Sequence, residues 1–251
     1  MRRYWPFLVF AAIAVTHVVV VALGYPGYLS KAALMPSLLA AVLASVLVTA
    51  RVDMSFETLL VPMLLLEFAI LSAWLSDMFF SAPPETLGIF ASGLTHVLLI
   101  VLFAWSLRVP WRSWTFVPYL VLFLATVAVL WSGLGPYIGL IAAYALVAYA
   151  MAWLASRVSW VAGVGGALYV VAAVAKGLQL FQPSLLEWIP QSVYDATIMC
   201  AYAIGIGLLA LASTMRILHL NESAVRPRRA SAHRWADKRD LRRTLEHDAG
   251  R

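Results

Sequence analysis

The chain carries a single cysteine, Cys200, and only 12% of its 251 residues are charged. One thiol inside an apolar run excludes a disulfide framework and a Cys-based metal site. So little charge excludes a single soluble core. With 63% hydrophobic residues and a mean hydropathy of +0.87, too little polar sequence remains to cover a globule of this length. Soluble-enzyme signatures are missing as well. There is no His-Glu-x-x-His and no Gly-x-Ser-x-Gly elbow, and Gly163-Val164-Gly165-Gly166 lies inside an apolar run, whereas a phosphate loop needs a strand before it and a helix after it. No metal and no cofactor is expected. The formal net charge of +6 does not indicate nucleic acid as a partner, because residues 216–251 hold ten Lys/Arg against five Asp/Glu. The basicity belongs to the tail.

What the chain does have is apolar runs of about 20 residues, the length a helix needs to cross roughly 30 Å of hydrocarbon. Eight occur, at about 5–24, 29–50, 55–77, 86–107, 114–132, 136–155, 159–180 and 193–214. The first follows Met1-Arg2-Arg3, a pattern shared with signal peptides, but its length and the lack of a small-x-small cleavage site favour a span. The predicted fold is therefore all-α, a polytopic bundle of eight transmembrane helices over residues 1–214. Residues 215–251 form a basic tail, disordered or lying on the membrane surface, with a short helix at about 236–246. Turn residues mark the connections: Gly24-Tyr25-Pro26-Gly27, Ala82-Pro83-Pro84, Gly133-Leu134-Gly135-Pro136 and Gln182-Pro183. Arg2, Arg3, Arg51, Arg108, Arg112, Arg157 and the tail fall in alternate connections, which predicts both termini on the cytoplasmic side. A multi-pass protein of the plasma (cytoplasmic) membrane is expected, its tail attracted to anionic lipid head groups.

Ionisable residues within the spans carry the functional signal, since a charge near mid-bilayer costs about 2.5–3.5 kcal/mol on insertion scales and is tolerated mainly in a bundle interior or wet cavity. The two spans of the hairpin from Glu67 to His96 hold three: Glu67, Asp77 and His96. In the predicted topology Glu67 and His96 lie at depth, whereas Lys31, Asp77, Lys176 and Asp195 lie toward the outer ends of their spans. There each of the four is as readily explained by snorkelling to the head groups as by a shared pocket. Tyr169 and Lys176 are seven residues apart, as are Asp195 and Tyr202, so each pair shares a helix face. Packing explains those tyrosines at least as well as a groove. The small residues of the seventh run, Gly163 to Gly177, permit close helix approach.

Several short motifs resemble one family. Ser30-Lys31-Ala32-Ala33-Leu34-Met35-Pro36 resembles the Lys-Pro-Leu-x-Met-Pro start of span two in the YhhN family of membrane proteins, which includes the lysoplasmalogenases. Ser76-Asp77 resembles its Gly-Asp at the end of span three, Gly88 through His96 its Gly-Leu-x-x-Phe-x-x-x-His in span four, and Gly166-Ala167-Leu168 its Gly-Ala-Leu in span seven. The resemblance implies an intramembrane hydrolase that cleaves the vinyl ether bond of a lysoplasmalogen to a fatty aldehyde and a glycerophospho-base. It implies Asp77 and His96 as catalytic residues, with Lys31, Glu67, Tyr169, Lys176, Asp195 and Tyr202 around a lysophospholipid or other single-chain lipid. Two family positions differ. The span-seven Ser-Asp falls at Ala173-Val174, and the span-eight Tyr-x-x-x-Gln reads Tyr202-Ala203-Ile204-Gly205-Ile206. Lys176 does not simply replace the missing carboxylate, because two residues along a helix turn it by about 200°. Two alternatives stay open: a non-catalytic binder of single-chain lipids, and a small transporter, against which stands the lack of an inverted repeat.

Overall fold

The computed structural model describes residues 4–49, 59–80, 85–110 and 114–248, with side chains through residue 224 apart from those of Thr49 and Glu85. Every regular element among them is helical. These are α1 (Pro6–Ala22), α2 (Tyr28–Thr49), α3 (Val61–Phe79), α4 (Glu85–Val101, continued by a π-turn at Leu102–Ser106), α5 (Val117–Leu134), α6 (Ile138–Val158), α7 (Trp160–Phe181) and α8 (Gln191–Asp248). Six stretches are long and apolar enough to cross a membrane: Tyr28–Val48, Val61–Phe79, Thr86–Ser106, Trp114–Val158, Trp160–Phe181 and Gln191–Ala224. The fourth holds both α5 and α6 and is broken at Gly135, whose φ of +47° is a conformation a Cβ disfavours. α1 is shorter than the expected run, at 17 residues, because the turn after it begins early, with Gly24 at φ +81°. The boundary expected at residue 214 falls inside α8, which continues without a break to Asp248. The Ala82-Pro83-Pro84 turn and Arg2, Arg3, Arg51 and Arg112 lie outside the described residues.

The helices close a ring. α1 packs on α2, α2 on α3, α3 on α4, α4 on α6, α6 on α7, α7 on α8 and α8 back on α1, while α5 sits outside against α6 and α7. In hydrocarbon, helix association depends on close packing and interhelical hydrogen bonds more than on exclusion of water. Both occur here at specific residues. Ser72 Oγ donates to the Ala91 carbonyl (2.8 Å) and Ser76 Oγ to the Gly88 carbonyl (2.9 Å), so two serines one turn apart fix α3 against α4. Such bonds contribute on average about 0.6 kcal/mol each in a membrane. Trp74 Nε1 donates to the Ala32 carbonyl at 3.1 Å and ties α3 to α2.

α7 and α8 meet through glycines. A Cβ on Gly165 would lie 2.8 Å from the Gly205 carbonyl oxygen, and a Cβ on Gly205 would lie 2.7 Å from the Tyr169 backbone nitrogen. Backbone touches backbone there, so neither position has room for a side chain. α8 is in turn seated on α1, where the Phe10 ring covers Gly207. Gly205→Ala should therefore overpack the α7–α8 contact and destabilise the bundle by about 1–3 kcal/mol. Ile204→Ala, at an exposed neighbour, serves as the reference. Thermal unfolding in detergent should show the glycine variant melting well below that reference; equal melting temperatures would contradict the close approach.

Candidate active site

Within the ring lies a cavity of about 150 Å³ bordered by side chains from α2 to α8. Its chemistry starts at Asp77, in the last turn of α3. Ser76 fixes the rotation of that turn against α4, and the carboxyl of the next residue enters the cavity buried from solvent. Tyr202 Oη, from α8, donates to Asp77 Oδ2 at 2.9 Å. Lys31, in the first turn of α2, borders the same cavity and acts electrostatically on Asp77. A carboxylate buried among apolar side chains costs several kcal/mol unless it is paired and hydrogen-bonded. Tyr202 and Lys31 supply those two requirements whenever the group is ionised.

Behind the carboxylate stands an aromatic column. Tyr202 stacks on Tyr169 with ring centroids 5.4 Å apart, and Tyr169 stacks on His96 at 5.0 Å and an interplanar angle of 20°. The Gly165–Gly205 contact makes this possible, because it lets the two tyrosines approach from α7 and α8 without intervening side chains. His96 is fully buried, and its Nδ1 lies 2.6 Å from the Ser92 carbonyl oxygen. A carbonyl only accepts, so Nδ1 carries the proton. In the neutral ring Nε2 is then the acceptor, and it has no hydrogen-bond partner. Tyr144 of α6 meets His96 edge-on at 5.3 Å and shares a 3.0 Å hydrogen bond with Ser92 Oγ.

The cavity gathers most of the residues expected from the sequence. Lys31, Asp77, Tyr169, Lys176 and Tyr202 line it, and His96 supports its wall from behind Tyr169. Asp195 and Glu67 do not line it. Asp195 joins at one remove: Lys176 Nζ donates to Gln179 Oε1 (2.7 Å), Gln179 Nε2 donates to Asp195 Oδ1 (2.7 Å), and Gln191 Nε2 also donates to that carboxylate at 3.1 Å. Glu67 lies elsewhere on α3, its two carboxyl oxygens buried without hydrogen-bond partners. Ala173 and Val174, where the family's second carboxylate is expected, are part of the cavity wall, so that wall is apolar.

Sequence reasoning missed Tyr144, Ser92, Gln179 and the pair Thr126–Tyr149, whose hydroxyls lie 2.6 Å apart. A signal was present for two of them. Gln179 follows Lys176 by three residues, one helical turn, and Tyr144 is a hydroxyl-bearing ring in the middle of an apolar run. If the Tyr202 hydroxyl holds Asp77, Tyr202→Phe and Asp77→Asn should not be additive. A double-mutant cycle on unfolding should return a coupling of about 1.5–3 kcal/mol, the range for hydrogen bonds to charged groups. Additive losses would show that the contact carries no energy.

A family model described as the YhhN family matches residues 26–213, which take in the described parts of α2 to α7 and the first two-fifths of α8. No curated protein and no solved structure matches the chain. An apolar, all-helical chain matched over about three quarters of its length, with Lys31, Asp77 and His96 inside the matched region, belongs to the YhhN family.

Proposed function

We propose that the chain is an intramembrane hydrolase of the lysoplasmalogenase type, acting on the vinyl ether bond of a single-chain phospholipid. It would cross the membrane eight times with both termini cytoplasmic, in the plasma membrane, its basic tail drawn to anionic head groups. The observation that carries the reading is Asp77: one buried carboxyl, held by Tyr202 and facing Lys31, at the wall of a mostly apolar cavity. Vinyl ether hydrolysis needs little more. A carboxylic acid delivers its proton to the alkene carbon remote from the ether oxygen, and the carboxylate so formed stabilises the adjacent oxocarbenium ion. Water adds to that cation and returns a proton to the carboxylate, leaving a hemiacetal. The hemiacetal collapses to a fatty aldehyde and the glycerol hydroxyl, so one water is consumed and no redox change occurs.

One carboxyl can serve in turn as acid and base, so the sequence does not need a second at Ala173 or Val174. Lys31 and Lys176, both at the cavity wall, would provide positive charge for the phosphate. Tyr202 fixes the carboxyl, and Tyr169 backed by His96 fixes Tyr202. His96 and Tyr169 are thus positioning residues. Glu67 and Asp195, neither of which touches the cavity, would contribute through the fold and through Lys176 respectively.

A second reading is favoured by the apolar wall at Ala173 and Val174, since the family pattern has a carboxylate there: the chain retains single-chain lipids without cleaving them. One assay separates the two. Purified protein in nanodiscs, given a lysoplasmalogen, should release fatty aldehyde, and Asp77→Asn should lower that rate by about 10²–10⁴, the contribution typical of a general acid or base. Aldehyde release that survives Asp77→Asn would remove Asp77 from the mechanism. Tight lipid retention without aldehyde from the unaltered protein would establish the binding role.

A further inference from the structure

α5 is deeply packed at one end only, although Thr115 just before it accepts from Trp153 Nε1 at 3.1 Å. Of its 18 residues, Leu130 and Leu134 alone are buried, and both lie in its last turns. There Gly133 approaches the end of α7 so closely that a Cβ would collide with the Phe181 carbonyl, and Gln182 Nε2 donates to Ser132 Oγ at 2.7 Å. Leu130 also rests on Gly177. Toward its N-terminus α5 parts from α7, and an apolar groove opens between them over α6. Tyr119 and Leu122 form one side, Ala152 the floor, and Ala167 and Val171 the other side. Leu122 and Val171 are exposed, so the outer edge of the groove faces the surroundings of the bundle, which in a membrane are lipid chains.

This groove and the Asp77 cavity are adjoining spaces. Tyr149, Val170 and Val174 line both. At that shared wall the Tyr149 hydroxyl lies 2.6 Å from Thr126 Oγ1, so a single neutral hydrogen bond between α6 and α5 spans the junction. The Phe123 ring also meets Tyr149 edge-on there, with centroids 6.4 Å apart, so α5 and α6 stay packed at the junction while the groove opens on the α7 side. The polar and charged groups sit at the other end of the path, around Asp77, Lys31 and Lys176. A slot that is apolar along its length, open to lipid at one end and cationic at the other has the polarity of a one-chain amphiphile.

We infer that the α5–α7 groove is the lateral entrance and tail subsite of the protein, holding the hydrocarbon chain of the same single-chain phospholipid whose head and ether end sit at Asp77. The inference rests on the proposed reading of the cavity as a lipid site, not on its being catalytic. The chain enters between α5 and α7, passes the Thr126–Tyr149 pair and leaves its terminal methylenes along Ala167 and Ala152. Those alanines set the room available. A bulky side chain there takes the space of the chain's last methylenes, so filling the groove with a phenyl ring should remove most of the binding of a long chain and little of that of a short one.

The test uses the full chain in nanodiscs and a 1-O-alkyl lysophospholipid, whose saturated ether cannot undergo vinyl ether hydrolysis, bearing a diazirine near the chain end. After photolysis, peptide mapping should find the label around the groove, at Leu122 of α5, Ala152 of α6 and Ala167 and Val171 of α7. Ala167→Phe should remove most of that labelling for an 18-carbon chain, with Leu122→Trp as a second way to fill the same space from α5. Val164→Phe, on an exposed part of α7 that does not line the groove, should leave it unchanged. Label found chiefly outside the groove, or label around the groove that neither groove variant reduces, would overturn the inference. Labelling as expected with no aldehyde release from lysoplasmalogen would sink the hydrolase reading and leave the tail subsite standing. Aldehyde release with the label elsewhere would do the reverse.

Discussion

The contact on which the rest depends is the crossing of α7 and α8 at Gly165 and Gly205, where each glycine lies against backbone of the other helix. In a membrane, where exclusion of water adds little between helices, such an approach draws its energy from van der Waals contact over the whole crossing. Its effect on the site is geometric. Four residues beyond Gly165 stands Tyr169, and three before Gly205 stands Tyr202. The short interaxial distance stacks these rings and aims the Tyr202 hydroxyl at Asp77, 125 residues away in the chain. Larger side chains at the crossing would part the helices and leave the buried carboxyl without its donor.

From the other side Asp77 is held by α3 and α4 acting as one unit. Ser72 and Ser76 lock the hairpin by bonding to α4 carbonyls, and Trp74 locks it to α2, which brings Lys31 alongside. The helix that bears the carboxyl is therefore fixed against α4 and α2, and the carboxyl itself is met by Tyr202 of α8 and Lys31 of α2. A preorganised donor and a nearby cation around one buried acid are what an electrostatic catalyst requires, because they need no rearrangement when charge develops. The same arrangement would hold the phosphate end of a lipid that is only bound, and the apolar wall at Ala173 and Val174 is the feature that keeps the two functions distinct.

Much of this was legible in the sequence, and the parts that were not have physical reasons. Apolar run length marks the helices, since hydrocarbon thickness sets it directly, and α2 and α7 begin and end within one residue of the expected runs. Lys31, Asp77, Tyr169, Lys176 and Tyr202 were identifiable because polar groups in apolar spans are costly and so meaningful. Their convergence on one cavity was not, because helix order around the ring is decided by contacts between residues far apart in sequence. Seven-residue spacing paired Tyr169 with Lys176 correctly on one face, yet the same spacing for Asp195 and Tyr202 did not bring Asp195 to the cavity; Gln179 and Gln191 hold its carboxylate instead. Glu67 shows the opposite limit. Its depth suggested a part in the site, but the rotation of α3 set by Ser72 and Ser76 turns Asp77 toward the cavity and leaves Glu67 off its wall.

The central claim is that a lipid engages the Asp77 carboxyl inside the ring of helices. Infrared difference spectroscopy reads that group directly: spectra of the protein in nanodiscs are recorded before and after addition of an uncleavable 1-O-alkyl lysophospholipid, and the same is done for Asp77→Asn. The account predicts a lipid-induced change in a carboxyl or carboxylate band that is missing from the Asp77→Asn spectrum. Difference spectra that are identical in the two proteins, at lipid concentrations that saturate binding, would contradict it.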